Sequence, residues 1–275
     1  MKLGCHVSIK DGYLGAAKRA YSLGANAFQY FPKNPRSLGV KSFDRHDAKQ
    51  CAEFCAAEQM VSIAHTPYPT NIAATGEKET AVVESLLNDL DIADACGSFG
   101  IVVHFGSAKG DLLQGYQQML NVLNQVQAQW EGRSLILIEN MAGKGDQLGM
   151  TMEELIKIRE LTNYPEKIGF CLDTCHAFAS DLWNGRNWNA FVDKGRELGF
   201  IEQVKAIHFN NSFYPNGSRK DRHSPIVKGE IHAEAMKEIL LHAEFADVPF
   251  ILETPNTEKD SHQQEIEWMK QVAGN

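Results

Sequence analysis

Leu135-Ile136-Leu137-Ile138-Glu139 is a run of four apolar residues closed by a carboxylate. A short apolar run of this kind reads as a strand buried on both faces of a parallel sheet. Its last residue then points into whatever lies at the C-terminal mouth of that sheet. Five further runs share the same build: residues 61–65, 101–104, 168–173, 204–208 and 248–253, which end on His65, His104, Asp173, His208 and Glu253. One such ending carries little meaning. Six in succession amount to the ligand supply of a metal cluster, because imidazole and carboxylate are the donors that divalent cations take.

Working outward, two more strand-like runs, residues 3–8 and 25–31, precede the six. Helix-period stretches separate the runs at residues 12–23, 44–58, 77–96, 112–130, 152–161, 188–198, 233–243 and 261–272. Thr151 followed by Glu154 has the form of a capping box. Eight strand–helix units in 275 residues predict a single-domain (β/α)₈ TIM barrel spanning residues 1–275, a fold of about 250 residues. A doubly wound open sheet is the alternative α/β arrangement. It gathers its ligands at one switch point, whereas donors from six strands require a closed ring.

The composition, 43% hydrophobic and 23% charged, supports a sizeable core and excludes a disordered chain. No apolar stretch approaches the roughly 18–20 residues that span a bilayer. Met1-Lys2-Leu3-Gly4 leads straight into a strand, leaving no room for a signal peptide, so the expected location is the cytoplasm, without a membrane partner. Cys5, Cys51, Cys55, Cys96, Cys171 and Cys175 form no C-x-x-C pair and read as buried reduced thiols. The formal charge of −8 argues against nucleic acid only until cations are counted, since three divalent ions would bring it to about −2.

Two local patterns extend the donor set. Asp173-Thr174-Cys175-His176 places carboxylate and imidazole on one strand-to-helix turn. Asp221-Arg222-His223 places them two apart, on the same side of an extended loop. The resulting set is His65, His104, Glu139, Asp173, His176, His208, Asp221, His223 and Glu253. With no thiolate among them, these suit zinc or manganese, and they exceed the needs of a single zinc. A lone strand-end histidine is more often a satisfied core residue. Glu139 and Glu253 differ, because a carboxylate buried after four apolar residues requires a partner and no Lys or Arg ends any strand. His46, His232, His242 and His262 are expected on loops or in solvent, with His6 the one placed to line the pocket. Nine such donors fit three ions and suit phosphate-ester hydrolysis, which uses Lewis acidity, an activated water and leaving-group stabilisation together.

The chain also resembles the endonuclease IV family of zinc-dependent apurinic/apyrimidinic endonucleases. The similarity runs from His6-Val7-Ser8 to Leu252-Glu253-Thr254. Its most specific stretches are Ile138-Glu139-Asn140, Leu172-Asp173-Thr174-Cys175-His176-Ala177-Phe178 and Gly217-Ser218-Arg219-Lys220-Asp221-Arg222-His223. The resemblance implies a xylose-isomerase-like barrel, three zinc ions with manganese as a substitute, and a monomer acting on double-stranded DNA. It implies one ion on His65, His104 and Glu139, and a second on Glu139, Asp173, His208 and Glu253. The third falls to His176, Asp221 and His223. Glu139 and Glu253 become the catalytic carboxylates, Glu253 orienting the attacking water. Cleavage 5′ to an abasic site and removal of 3′ blocking groups follow from the same likeness.

The match also implies an inserted Arg36, from Lys33-Asn34-Pro35-Arg36, and a wedge at Tyr68, from His65-Thr66-Pro67-Tyr68. Lys33, Arg36, Lys109, Arg219, Lys220 and Arg222 are candidates to follow phosphates. The chain departs from the family pattern at Pro69, Phe105, Asn211, Val227 and His232, none of them a metal donor. Two rival functions share parts of this reading. A sugar isomerase or epimerase on the same barrel needs one or two ions and leaves His176 and the Asp221–His223 pair without a role. A zinc-binding scaffold has no use for bridging carboxylates around open coordination positions.

Overall fold

A computed structural model describes residues 1–108, 110–143 and 148–274. Eight parallel strands close into a barrel in the order β1, β2, β3, β4, β5, β6, β7, β10 and back to β1. Their bounds are β1 Lys2–His6, β2 Ala27–Tyr30, β3 Val61–His65, β4 Gly100–His104, β5 Leu135–Glu139, β6 Ile168–Asp173, β7 Val204–His208 and β10 Pro249–Leu252. Between β7 and β10 a two-stranded antiparallel ribbon, β8 (Asn211–Ser212) with β9 (His223–Ser224), stands over the mouth. This ribbon and the six-residue helix α6 (Thr174–Ala179) lie outside the periodicity of the apolar runs.

The strands alternate between two environments, as a period of two requires. Ala27, Ile63, Val102, Leu137, Cys171, Ala206 and Ile251 form one cluster, which fills the barrel interior. Their neighbours Phe28, Ala64, Val103, Ile138, Leu172, Ile207 and Leu252 belong to the larger cluster under the helices. Two residues beyond each interior residue, at the C-terminal end of the strand, lies a polar side chain on the same inward face. These are Gln29, His65, His104, Glu139, Asp173, His208 and Glu253. Gly4 and His6 complete the ring from β1, where a Cβ at Gly4 would overlap the Ala27 carbonyl. The polar layer at the mouth is therefore a direct product of strand pleat and register.

The remaining helices are α1 Gly12–Ser22, α2 Arg45–Ala57, α3 Glu77–Ala95, α4 Leu112–Gln129, α5 Met152–Leu161, α7 Trp188–Glu197, α8 Ala233–Leu241 and α9 His262–Ala273. Their starts are written in the sequence. Thr151 and Glu154 form the capping box of α5, as expected from their spacing, and Ser261 and Gln264 form a second at α9. Asp44 caps α2 by accepting from the backbone of His46 and Asp47. All six cysteines are free and buried. No described helix is long and apolar enough to cross a membrane.

Candidate metal centre

The nine donors expected from the sequence gather at the C-terminal mouth of the barrel. Glu139 sits at the middle, 1% exposed. Its Oε2 lies 3.6 Å from His65 Nε2 and 3.3 Å from His104 Nε2. Its Oε1 lies 2.9 Å from His208 Nδ1 and 3.4 Å from His176 Nδ1. His176 Nε2 and His223 Nε2 in turn approach Asp221 Oδ1 at 3.3 and 3.5 Å. Donor atoms fall within 4.8 Å of one another in three sets that include every one of the nine: His65, His104 and Glu139; Glu139, Asp173, His208 and Glu253; His176, Asp221 and His223. A further set, Asp173, Cys175 and His223, overlaps two of these, and burial pushes the Cys175 thiol up to about 12.

Each donor is aimed by its local structure. Asp173 ends β6 and caps α6, its Oδ1 accepting from the His176 backbone at 2.6 Å, which leaves Oδ2 toward Asn210 and the cluster. The backbone N–H of Asp173 donates to Asn140 Oδ1, and Asn140 Nδ2 donates back to the Asp173 carbonyl. Asn210 donates to both Asp173 Oδ2 (2.7 Å) and Glu253 Oε2 (3.3 Å). The β8–β9 ribbon carries His223, and Phe213 N–H to Arg222 carbonyl extends its pairing.

Glu139, Glu253, His176 and His208 hold one another ionised. Burial works to raise Glu139, but His208 and His104 outweigh it and keep the carboxyl well below its usual range. Glu253 is likewise raised by burial and pulled down, chiefly by His208, to about 2. For His176 and His208 burial works downward, and neighbouring groups, Asp173 and Asp221 for the first and Cys171 and Glu253 for the second, carry both well above the ordinary imidazole value. Burial lowers His6 to about 4. Asp173 is raised by burial. Three buried polar atoms inside the cluster, Glu139 Oε2, His176 Nε2 and His223 Nε2, have no hydrogen-bond partner. Unpaired donor atoms within the donor sets at the mouth are what cation sites require, so the residues fit the divalent ions implied by their chemistry.

The cluster floors an open cavity of about 540 Å³ that Phe31, Tyr68, Arg222 and Pro255 help to line. Arg36 and Tyr68 occupy adjoining loops: the Tyr68 N–H donates to the Pro35 carbonyl at 2.8 Å, and the Tyr68 ring meets Phe31 edge-on. Tyr68 is 63% exposed at the rim. Arg219, Lys220 and Arg222 are exposed on the ribbon loop, with Arg222 stacked over Phe213 and Lys220 over Tyr214. Lys109 lies outside the described residues.

Two expectations are corrected. Lys33 follows no phosphate: it is buried, with Nζ 2.8 Å from the Ser85 carbonyl and 3.1 Å from Asp89 Oδ1, and it ties the Arg36 loop to α3. His262 is not on the surface but buried against the Thr254 carbonyl (2.9 Å), because α9 closes over the end of β10. The departures from the family pattern are accommodated. Phe105 is buried beside Gly149, whose φ of +69° and lack of a Cβ leave room for the ring. Asn211 donates to the carbonyls of Ile226 and Ile231, both at 2.8 Å, which an aspartate could not do. Pro69, Val227 and His232 are exposed. The positioning roles of Gln29, Asn140 and Asn210 escaped the sequence reading, although Asn140 lies in a quoted family stretch and counting two residues on from Ala27 along β2 reaches Gln29.

The family described as the xylose isomerase-like TIM barrel matches residues 17–272. A protein of Symbiobacterium thermophilum named probable endonuclease 4 is 37% identical over 274 residues, covering 99% of both chains. One of the same name from Clostridium beijerinckii is 34% identical over 278 residues, covering 100% of both. The crystal structure of endonuclease IV from Thermus thermophilus superposes with a TM-score of 0.88 at 30% identity, over 100% of this chain and 99% of that one. A D-tagatose 3-epimerase-like protein, at TM-score 0.72 and 19% identity over 100% of this chain and 97% of that one, shares the fold alone. A closed parallel barrel, nine converging donors and full-length likeness lead to one assignment: the chain belongs to the endonuclease IV family of xylose isomerase-like TIM barrels.

Proposed function

We propose that this enzyme hydrolyses the backbone of double-stranded DNA on the 5′ side of abasic sites, leaving a 3′-hydroxyl and a 5′-deoxyribose phosphate, and clears blocked 3′ ends at the same centre. The observation that carries the reading is the third donor set, His176, Asp221 and His223, beside the two that share Glu139. An isomerase working with one or two ions has no use for it.

Zinc, with manganese as a substitute, fits His65, His104 and Glu139; Glu139, Asp173, His208 and Glu253; and His176, Asp221 and His223. Bound there, divalent cations would supply Lewis acidity toward a phosphoryl oxygen and lower the pKa of the attacking water. The chain's own part is to bind and orient. Glu253 reaches the cavity floor ionised, with its oxygens fixed by Gln29 and Asn210, and so can orient a water by accepting a hydrogen bond from it. Arg222 faces the cavity with a charge suited to a phosphate next to the scissile bond. Tyr68 and Arg36 stand on the rim where a duplex lacking one base offers a gap to fill.

The test is a duplex containing one tetrahydrofuran abasic analogue, incubated with and without a chelator. The expected result is a single nick 5′ to the analogue that disappears on metal removal. An uncut duplex with the zinc-loaded chain would overturn the reading, and epimerisation of a ketose by the same preparation would replace it with the isomerase alternative.

A further inference from the structure

Four imidazole rings of the cluster have a nitrogen held by a neighbouring acceptor, and one of them is held the opposite way round. His65, His176 and His223 direct Nδ1 at backbone carbonyls, those of Thr66 (2.8 Å), Asn140 (2.9 Å) and Glu253 (3.3 Å). A carbonyl only accepts, so Nδ1 carries the hydrogen and Nε2 is left for the carboxylates. His208 is inverted: its Nε2 meets Gln29 Oε1 at 2.7 Å, and its Nδ1 faces Glu139 Oε1 at 2.9 Å and Glu253 Oε2 at 3.1 Å.

The Gln29 carboxamide has no freedom to turn over. Its Nε2 lies 2.6 Å from Glu253 Oε1 and 3.1 Å from His6 Nδ1. An ionised carboxylate accepts only, so the nitrogen of the amide must face it. Oε1 is then forced toward His208, and as a pure acceptor it demands the hydrogen on Nε2. Fully buried on β2, Gln29 thereby links side chains of β1, β7 and β10 across the mouth.

We propose that Gln29 is a positioning residue of the metal centre, fixing His208 in the tautomer that offers Nδ1 to a cation and holding Glu253 by its Oε1. The inference rests on the reading of the nine donors as a metal centre. Ligating histidines depend on the partner of their other nitrogen, and losing that partner typically weakens metal binding by about 10–100-fold. The partners of His65, His176 and His223 are backbone atoms that no substitution removes. That of His208 is a side chain, so this tautomer can be tested by mutation.

The experiment uses the full chain labelled with ¹⁵N-histidine, loaded with zinc and compared with Gln29→Met, which keeps length and volume but neither donates nor accepts. Zinc per chain is measured under chelator competition, and long-range ¹H–¹⁵N spectra report which ring nitrogen of His208 carries hydrogen. The parent should show hydrogen on Nε2. Gln29→Met should lose about one zinc of three at a chelator level roughly 10–100-fold lower than the parent tolerates, while the other two persist. Hydrogen on Nδ1 in the zinc-loaded parent would overturn the proposal without recourse to any variant. So would unchanged zinc retention in Gln29→Met. A parent chain that binds no zinc would overturn the metal-centre reading along with it.

Discussion

Glu139 carries more of the site than any other single side chain, because both of its oxygens face imidazoles while it is shut off from solvent. Glu139→Gln keeps the shape and removes the charge that His65, His104, His176 and His208 share. Nicking of the abasic duplex should fall by roughly 10²–10³-fold or more, with the far-UV circular dichroism spectrum unchanged. Glu253→Gln should do the same while retaining most of the zinc, since Glu253 belongs to one donor set where Glu139 belongs to two. Either variant cutting at the parent rate would remove that carboxylate from the mechanism.

At the scale of elements, the decisive feature is how the rim loops are tied down. Lys33 and Asp89 form a buried pair between the loop after β2 and helix α3, and burial pushes the Asp89 carboxyl up to about 7 even with Lys33 beside it. Removing one partner of such a pair leaves an uncompensated charge. Lys33→Met should therefore cost about 3–5 kcal/mol in urea unfolding, while the Lys33→Met/Asp89→Leu double variant recovers most of it. Equal midpoints for parent and single variant would show that the pair is not holding the loop. The tips of the loops behave differently, because Arg36 and Tyr68 are exposed. Arg36→Ala and Tyr68→Ala should each weaken binding of the abasic duplex about tenfold at fixed salt, within the 1–3 kcal/mol typical of a side chain stacked on a base. Zinc content should stay at the parent level. Unchanged affinity would remove the wedge and leave the metal centre untouched.

For the whole molecule, cation binding and folding are linked through protons. His176 and His208 hold their protons well above the ordinary imidazole value in the metal-free chain. Their folded values lie above the unfolded one, so the stability they contribute is complete below about pH 6.5 and is lost as pH rises through the folded values. A divalent cation bound there would have to displace those protons, so its affinity should climb with pH over the same interval. The gap in melting temperature between the zinc-loaded and chelated chains should widen from about pH 6 to about pH 8, by roughly 2–4 °C for each kcal/mol of added binding free energy. A gap independent of pH would mean that the histidines are already neutral when metal arrives.

The barrel was legible in the sequence because its strands are buried on both faces and its helices carry their own caps. Apolar runs such as 135–139 and the Thr151–Glu154 box state their structure locally, and a strand-end donor announces itself by interrupting an apolar run. The same local logic named six of the nine clustered side chains, and the Asp173–His176 and Asp221–His223 spacings supplied the other three. What lay beyond it were the groups whose meaning depends on who stands across the mouth. Gln29 reads as an ordinary polar residue in a strand until β1, β10 and β7 bring His6, Glu253 and His208 to its two ends. Lys33 reads as a loop cation until α3 presents Asp89. His262 reads as exposed until α9 closes over Thr254. Pleat, period and capping act between neighbours along the chain, so the sequence alone determined the fold and the ring of donors. Hydrogen bonds between side chains as far apart as residues 29 and 253 arise only when the barrel closes, so the tertiary structure alone decided which nitrogen of His208 and which oxygen of Glu253 face the centre.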